Sequence, residues 1–158
     1  MGTVNAVHST YVIERSYSAA PERVFGAFAD PAKKRRWFGE RSGRGVEVFE
    51  MDFRVGGADQ YLFRMQEGTP FPGVALVNHT SYQDIVPGSR IVLAYTMTLG
   101  DRRISASLVT LEFLAEQGGT RMVFTEQAAF FEGADGPALR EDGWKKLLDG
   151  LSAELGQS

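Results

Sequence analysis

The stretch from Arg103 to Leu155 constrains the fold more than any other part of the chain. Two long segments alternate apolar and polar residues and meet at the Gly118-Gly119 turn, and one amphipathic helix follows. On the first segment Val109, Leu111 and Phe113 share a face, and on the second Met122, Phe124 and Phe130 share one, which is the period of a half-buried strand. The helix is expected to begin around Asp135-Gly136-Pro137. It sets Trp144, Leu147, Leu148, Leu151 and Leu155 along one stripe, the spacing of a helix pressed onto an apolar surface. A curved sheet gripping a C-terminal helix follows, with a space between them whose contents decide the function.

Upstream, Tyr11 to Ser18 reads as a first strand, and residues 1–8 are expected to form a flexible tail ahead of a single domain over 9–156. Pro21 suits a first helical position, and Val24, Phe25 and Phe28 give a short apolar face. Asp30 can cap a second short helix that starts at Pro31 and ends near Trp37 and Gly39. Val46 to Val55 reads as a strand stopped by Gly56-Gly57. Tyr61, Phe63 and Met65 line one face of the next, Val74 to Asp84 forms another, and after Pro87-Gly88 the residues Ile91, Leu93, Tyr95 and Met97 face inward. Consecutive strands joined by short turns are mostly antiparallel, because parallel neighbours need long crossovers. The class is α+β, with six or seven strands, two short helices after the first strand and one long helix at the end.

Composition narrows the function. At 158 residues the chain can bury roughly 70% of its unfolded surface. It has no cysteine, which excludes disulfides and thiolate metal sites and permits the cytoplasmic location expected here. Net charge is -3, so there is no broad positive field for a phosphate backbone, and no nucleic-acid partner is expected. No apolar run approaches the ~20 residues of a membrane span. Eleven Phe, five Tyr, five Met and two Trp indicate a bulky, adaptable interior.

Several segments together resemble the START-like, or SRPBCC, proteins. They are Ala20-Pro21-Glu22-Arg23-Val24-Phe25 with Trp37-Phe38-Gly39, Asp52-Phe53-Arg54-Val55-Gly56-Gly57, Tyr82-Gln83-Asp84-Ile85-Val86-Pro87, Gly119-Thr120-Arg121 with Phe124-Thr125-Glu126-Gln127, and Gly143-Trp144 with Leu147-Leu148. More narrowly, they resemble the branch named after the activator of a heat-shock-protein ATPase. The resemblance implies a helix-grip fold with a cavity that holds apolar molecules in relatives. It implies no reaction, because catalytic and non-catalytic members share the scaffold. No counterpart of the second domain of the eukaryotic ATPase activators is seen in the sequence.

The expected ligand-contacting set is Trp37, Tyr61, Phe63, Tyr95, Phe113, Phe124, Glu126, Trp144 and Leu148. Each of the aromatics taken singly suits core packing. Tyr61, Tyr95 and Trp144 also carry polar atoms that need partners when buried. Glu126 shares the inward phase of Met122, Phe124 and Phe130; either its carboxylate points inside, or a bulge or a neighbouring group relieves it, and the sequence leaves both open. Buried and unpaired, the carboxylate could serve as proton donor or ligand anchor; if it faces the cavity, Glu126→Gln is expected to leave the protein as stable or more stable near neutral pH. Ser105 and Ser107 face inward unless Ile104, Ala106 and Leu108 do.

Neither histidine, His8 or His79, has a metal-binding spacing, and no serine sits in a nucleophile elbow, so no metal, cofactor or catalytic residue is expected. The run Lys33-Lys34-Arg35-Arg36, with Arg41 and Arg44, reads as a solvated helix face or as a guide for an anionic ligand or acidic partner. The leading reading is a non-enzymatic binder of a small apolar molecule, lipid-like or aromatic, with a homodimer left open. The alternatives are a cyclase- or hydratase-like enzyme using Glu126 with a tyrosine such as Tyr95, and a chaperone-associated interaction module.

Overall fold

A computed structural model describes residues 5–157. Seven strands, β1 (Val7–Tyr17), β2 (Gly45–Glu50), β3 (Ala58–Arg64), β4 (Ala75–Val86), β5 (Arg90–Leu99), β6 (Arg102–Glu116) and β7 (Gly119–Phe130), form one sheet in the order β1-β7-β6-β5-β4-β3-β2. Every pairing is antiparallel. Between β1 and β2 lie two short helices, α1 (Pro21–Ala29) and α2 (Pro31–Lys34), and the long helix α3 (Pro137–Gln157) closes the chain. This is the expected α+β grip.

The strands alternate as the sequence pattern requires. Tyr61 and Phe63 on β3, Leu93 and Tyr95 on β5, Val109, Leu111 and Phe113 on β6, and Met122, Phe124 and Phe130 on β7 are all buried. Phe25 and Phe28 of α1 meet Phe113 edge-on, at centroid distances of 5.5 and 5.7 Å. The Asp30 carboxylate caps α2 by accepting from the backbone N–H groups of Ala32 and Lys33. Past Lys34 the helix widens into a π turn, Arg35–Gly39, and then tightens into a 3-10 turn, Glu40–Ser42. The π turn swings Trp37 inward, where its indole N–H donates to the Ala27 carbonyl at 2.8 Å.

Three boundaries and phases differ from or refine the sequence reading. β1 starts at Val7, because Val7 and His8 pair with Phe130 and Ala129 of β7; of the expected tail, 1–4 lie outside the described residues. β2 ends at Glu50, and 51–57 form a loop anchored where the Asp52 N–H donates to the Asp59 carboxylate and Gly56 and Gly57 exchange backbone bonds with Tyr82. A Cβ at Gly57 would collide with the Asp52 carbonyl, so the loop is built around the missing side chain. On β6, Ser105 and Ser107 point inside while Leu108 is exposed.

Candidate functional site: a cleft beneath the N-terminal half of the long helix

Helix α3 enters over the sheet through Gly136, whose φ of 89° is open to glycine, and Pro137 occupies its first turn. Its C-terminal half is sealed: Leu148 and Leu151 are wholly buried and Leu155 nearly so. Its N-terminal half reaches the sheet through Arg140 and Trp144 but leaves Leu139, Gly143 and Leu147 less covered. Between that half, the π and 3-10 turns and the strands β4 and β5 lies a cleft of about 560 Å³. Its walls are largely apolar, from Phe38, Met65, Met97, Leu139, Trp144 and Leu147. A Cβ at Gly143 would meet nothing within 4 Å, so this glycine enlarges the space. Gly150, about two turns on, does the opposite: a Cβ there would lie 3.3 Å from the Trp37 carbonyl, and the missing side chain lets α3 dock on the π turn.

A polar network forms the floor. The Glu126 side chain is wholly buried and accepts hydrogen bonds from the Tyr11 hydroxyl and, at 2.5 Å, from the Tyr95 hydroxyl. The Tyr95 oxygen in turn accepts from Arg140 Nη1 and Trp144 Nε1, each at 3.1 Å. Arg140, near the start of α3, also donates to Ser105 at 2.9 Å, clasps Asp135 with two bonds of 2.8 Å and stands 3.8 Å from the Glu126 carboxylate. Burial, and then the nearby Glu126, raise both Tyr11 and Tyr95 well above the ordinary tyrosine value. Burial pulls Arg140 down, yet Tyr95, Asp135 and Glu126 together hold it above its usual value. Glu126 therefore faces inward, but both carboxylate oxygens are partnered, which removes the ground for expecting Gln to replace it at no cost. Its partners come from β1, β5 and α3, which periodicity on β7 cannot reveal.

A second buried carboxylate sits on the same face toward the opposite edge of the sheet, on β3. Asp59 accepts from both the Tyr61 and Tyr82 hydroxyls and pairs with Lys34 Nζ at 3.6 Å. That ammonium also lies 5.1 Å from the Phe38 ring centre and 5.2 Å from that of Tyr61. Burial lowers the Lys34 value. The basic run is therefore not one solvated face. Lys34 is internal, Arg35 bonds Glu40 at 3.2 Å, and Arg36 grips the buried Glu154 at 2.7 Å, which holds that carboxyl below the usual range.

Of the residues expected around a ligand, Trp37, Tyr95 and Trp144 border the cleft. Tyr61, Phe63, Phe113, Phe124 and Leu148 are buried in the core around it, and Glu126 lies behind Tyr95. Sequence reasoning missed Arg140, Asn78, Met65, Met97 and Leu139. Met97 and Met65 were legible as inward phases, whereas nothing local marks Arg140, whose helix position looks solvated. Arg44 also lines the cleft. Its Nε donates to Ser42 at 3.0 Å and Nη2 to the Phe38 carbonyl at 3.1 Å, and its guanidinium stacks 3.8 Å from the Phe63 ring centre. Burial pulls Arg44 down to about 10. Among the described residues no cluster of three His, Asp or Glu could hold a metal ion.

A seven-stranded antiparallel grip around one long helix, with a cleft at the helix's free half, is the architecture of the SRPBCC class. The chain belongs to the Activator of Hsp90 ATPase homolog 1-like protein family, whose model matches residues 18–156. An uncharacterised protein from Rhizobium leguminosarum is 39% identical over 99% of this chain and 100% of its own, with a TM-score of 0.91. A protein from Rhizobium loti is 43% identical over 95% and 99% of the two chains, with a TM-score of 0.84. An AHSA1-like protein from Aeromonas hydrophila, 21% identical over 94% of this chain and 93% of its own, has a TM-score of 0.69 and shares the fold. Comparison with curated proteins finds no match. No helix among the described residues is long and apolar enough to cross a membrane.

Proposed function

We propose that the protein binds a small, largely apolar molecule in the cleft beneath the N-terminal half of α3. The observation that carries this reading is the space itself: about 560 Å³, within the usual range of small-molecule sites, walled by Trp, Phe, Met and Leu side chains and enlarged by Gly143. Two methionines in the wall, Met65 and Met97, suit a pocket that adjusts to its occupant. The enzyme alternative has less support. Both oxygens of Glu126 are engaged by tyrosines and the Tyr95 oxygen accepts from two donors, so these groups serve the floor network and Glu126 lies behind Tyr95 rather than on the cleft wall. The interaction-module alternative loses part of its basis as well, since Lys34, Arg35 and Arg36 pair within the molecule.

The test uses a neutral probe, N-phenylnaphthylamine, whose fluorescence rises in apolar surroundings. Saturable binding to the native protein is expected, and Gly143→Leu, which fills the open space, should abolish it while far-UV dichroism is retained. Equal binding by the wild type and the filled variant would remove the cleft as the site.

A further inference from the structure

The cleft is charged in a way its apolar walls do not require. Four cationic side chains, Arg41, Arg44, Arg140 and Lys146, border it against one carboxylate, Asp135, on a chain whose net charge is -3. Arg140 is neutralised by Asp135 and Glu126. Arg44 has no such partner: among the described residues no carboxylate comes within ion-pair distance of it, and its guanidinium rests on the face of Phe63. Its two hydrogen bonds, to Ser42 and to the Phe38 carbonyl, use Nε and one N–H of Nη2. A guanidinium has five N–H donors, so three remain for a guest.

Resting on the binding reading and deepening it, we infer that the occupant is an amphipathic carboxylate, its acid head paired with Arg44 and its apolar tail along Trp144, Leu147 and Met97. A partly desolvated cation without a counter-ion is costly, and an anion brought in by the ligand removes that cost. The depressed value of Arg44 is the same cost seen in its protonation. The planar fork suits a carboxylate, which accepts two parallel N–H bonds. Ser42 and Phe38 hold the fork in place from the 3-10 and π turns, so little side-chain freedom is lost on binding. Beyond the fork, Met65, Met97, Trp144 and Leu147 offer the apolar surface that a tail needs.

The matched pair decanoate and decanol, titrated by calorimetry near neutral pH, tests the inference. The wild type should bind decanoate about tenfold or more tightly than decanol, the size expected of one charge-assisted contact. Arg44→Gln should bring that ratio to about one, and Arg44→Lys should restore part of it. In the wild type alone, which guards against a variant that fails to fold, decanoate affinity should fall as salt rises while decanol affinity stays level. Equal affinities in the wild type would overturn the inference and leave the binding reading standing. A ratio that survives Arg44→Gln but falls in Arg41→Gln or Lys146→Gln would overturn the assignment to Arg44. If neither decanoate nor decanol bound, both the inference and the binding reading would fall.

Discussion

The two halves of α3 share a helix and a sheet but meet different surroundings. Toward the C-terminus Leu148, Leu151 and Leu155 are buried in the core, and Gly150 lacks the Cβ that would sit 3.3 Å from the Trp37 carbonyl. Toward the N-terminus Trp144 and Leu147 are only half-buried, Leu139 is exposed, and Gly143 faces open space. A helix draws most of its stability from packing one face, so the closed half holds α3 in place while the open half borders the cleft. The contrast teaches that a uniform apolar stripe in sequence does not mean a uniformly filled interior.

The largest effect expected is loss of the fold at alkaline pH. All five tyrosines are raised above the ordinary value of 10.0, burial being the leading cause in each, with Tyr17 at about 12. A value raised in the folded state means that the folded chain keeps its proton longer than the unfolded one. The stabilisation is therefore complete below pH ~10 and is lost as pH climbs through the raised values. Lys34 acts with the opposite sign, since its lowered value makes a cost that disappears as pH rises toward 10.5. Five groups outweigh one, and tyrosinate absorbance should rise in a single step together with loss of far-UV dichroism. A separate early step worth one tyrosine, assigned to Tyr95 by its replacement with Phe, would show that the cleft floor is open to water and would blur the contrast between the halves.

Next in size is Leu148→Ala in the closed half, expected to cost about 2–5 kcal/mol in urea denaturation. Leu147→Ala, one residue away but half-buried at the cleft, should cost less than half as much. Similar losses would mean that the two halves are equally packed. Glu126→Gln should lower stability by about 1–3 kcal/mol, because an amide offers only one accepting oxygen to the Tyr11 and Tyr95 hydroxyls and removes the charge facing Arg140. An unchanged midpoint would show that the floor network is not holding β1, β5 and α3 together.

The smallest effect is also the sharpest comparison, because it places one substitution in both halves. Gly143→Ala should raise stability by about 0.5–1 kcal/mol, since alanine is the better helix former and its methyl meets nothing. Gly150→Ala carries the same propensity gain but sets a methyl 3.3 Å from the Trp37 carbonyl, so its gain should vanish or turn into a loss. Equal gains at both sites would remove the distinction between a docked half and an open one.

Much of the fold was legible because strands and helices write their faces at short range. The alternation on β6 and β7, the α3 stripe and the Asp30-Pro31 restart each rest on residues within one element. The inward phase of Glu126 was legible in the same way. Its partners were not: Tyr11 is 115 positions away in the chain. Lys34 shows the converse. In a run of four basic residues it looks solvated, and only the arrival of β3 beside α2 gives it Asp59 and takes it inside. The end of β2 at Glu50 was missed for a similar reason, because the loop after it is held by Asp59 and Tyr82 on other strands.

The sequence by itself determined the element order, the antiparallel sheet, the gripping helix and the family, since these follow from periodicity, turn residues and ordered short motifs. The cleft, the satisfied Glu126 and the lack, among the described residues, of a carboxylate partner for Arg44 were decided only by the tertiary structure. Whether a void stays open or a charge finds a partner depends on the summed approach of helices and strands far apart in the chain. No local pattern encodes that sum, so Gly143 and Gly150 are the same letter in the same helix, and one opens a space while the other closes it.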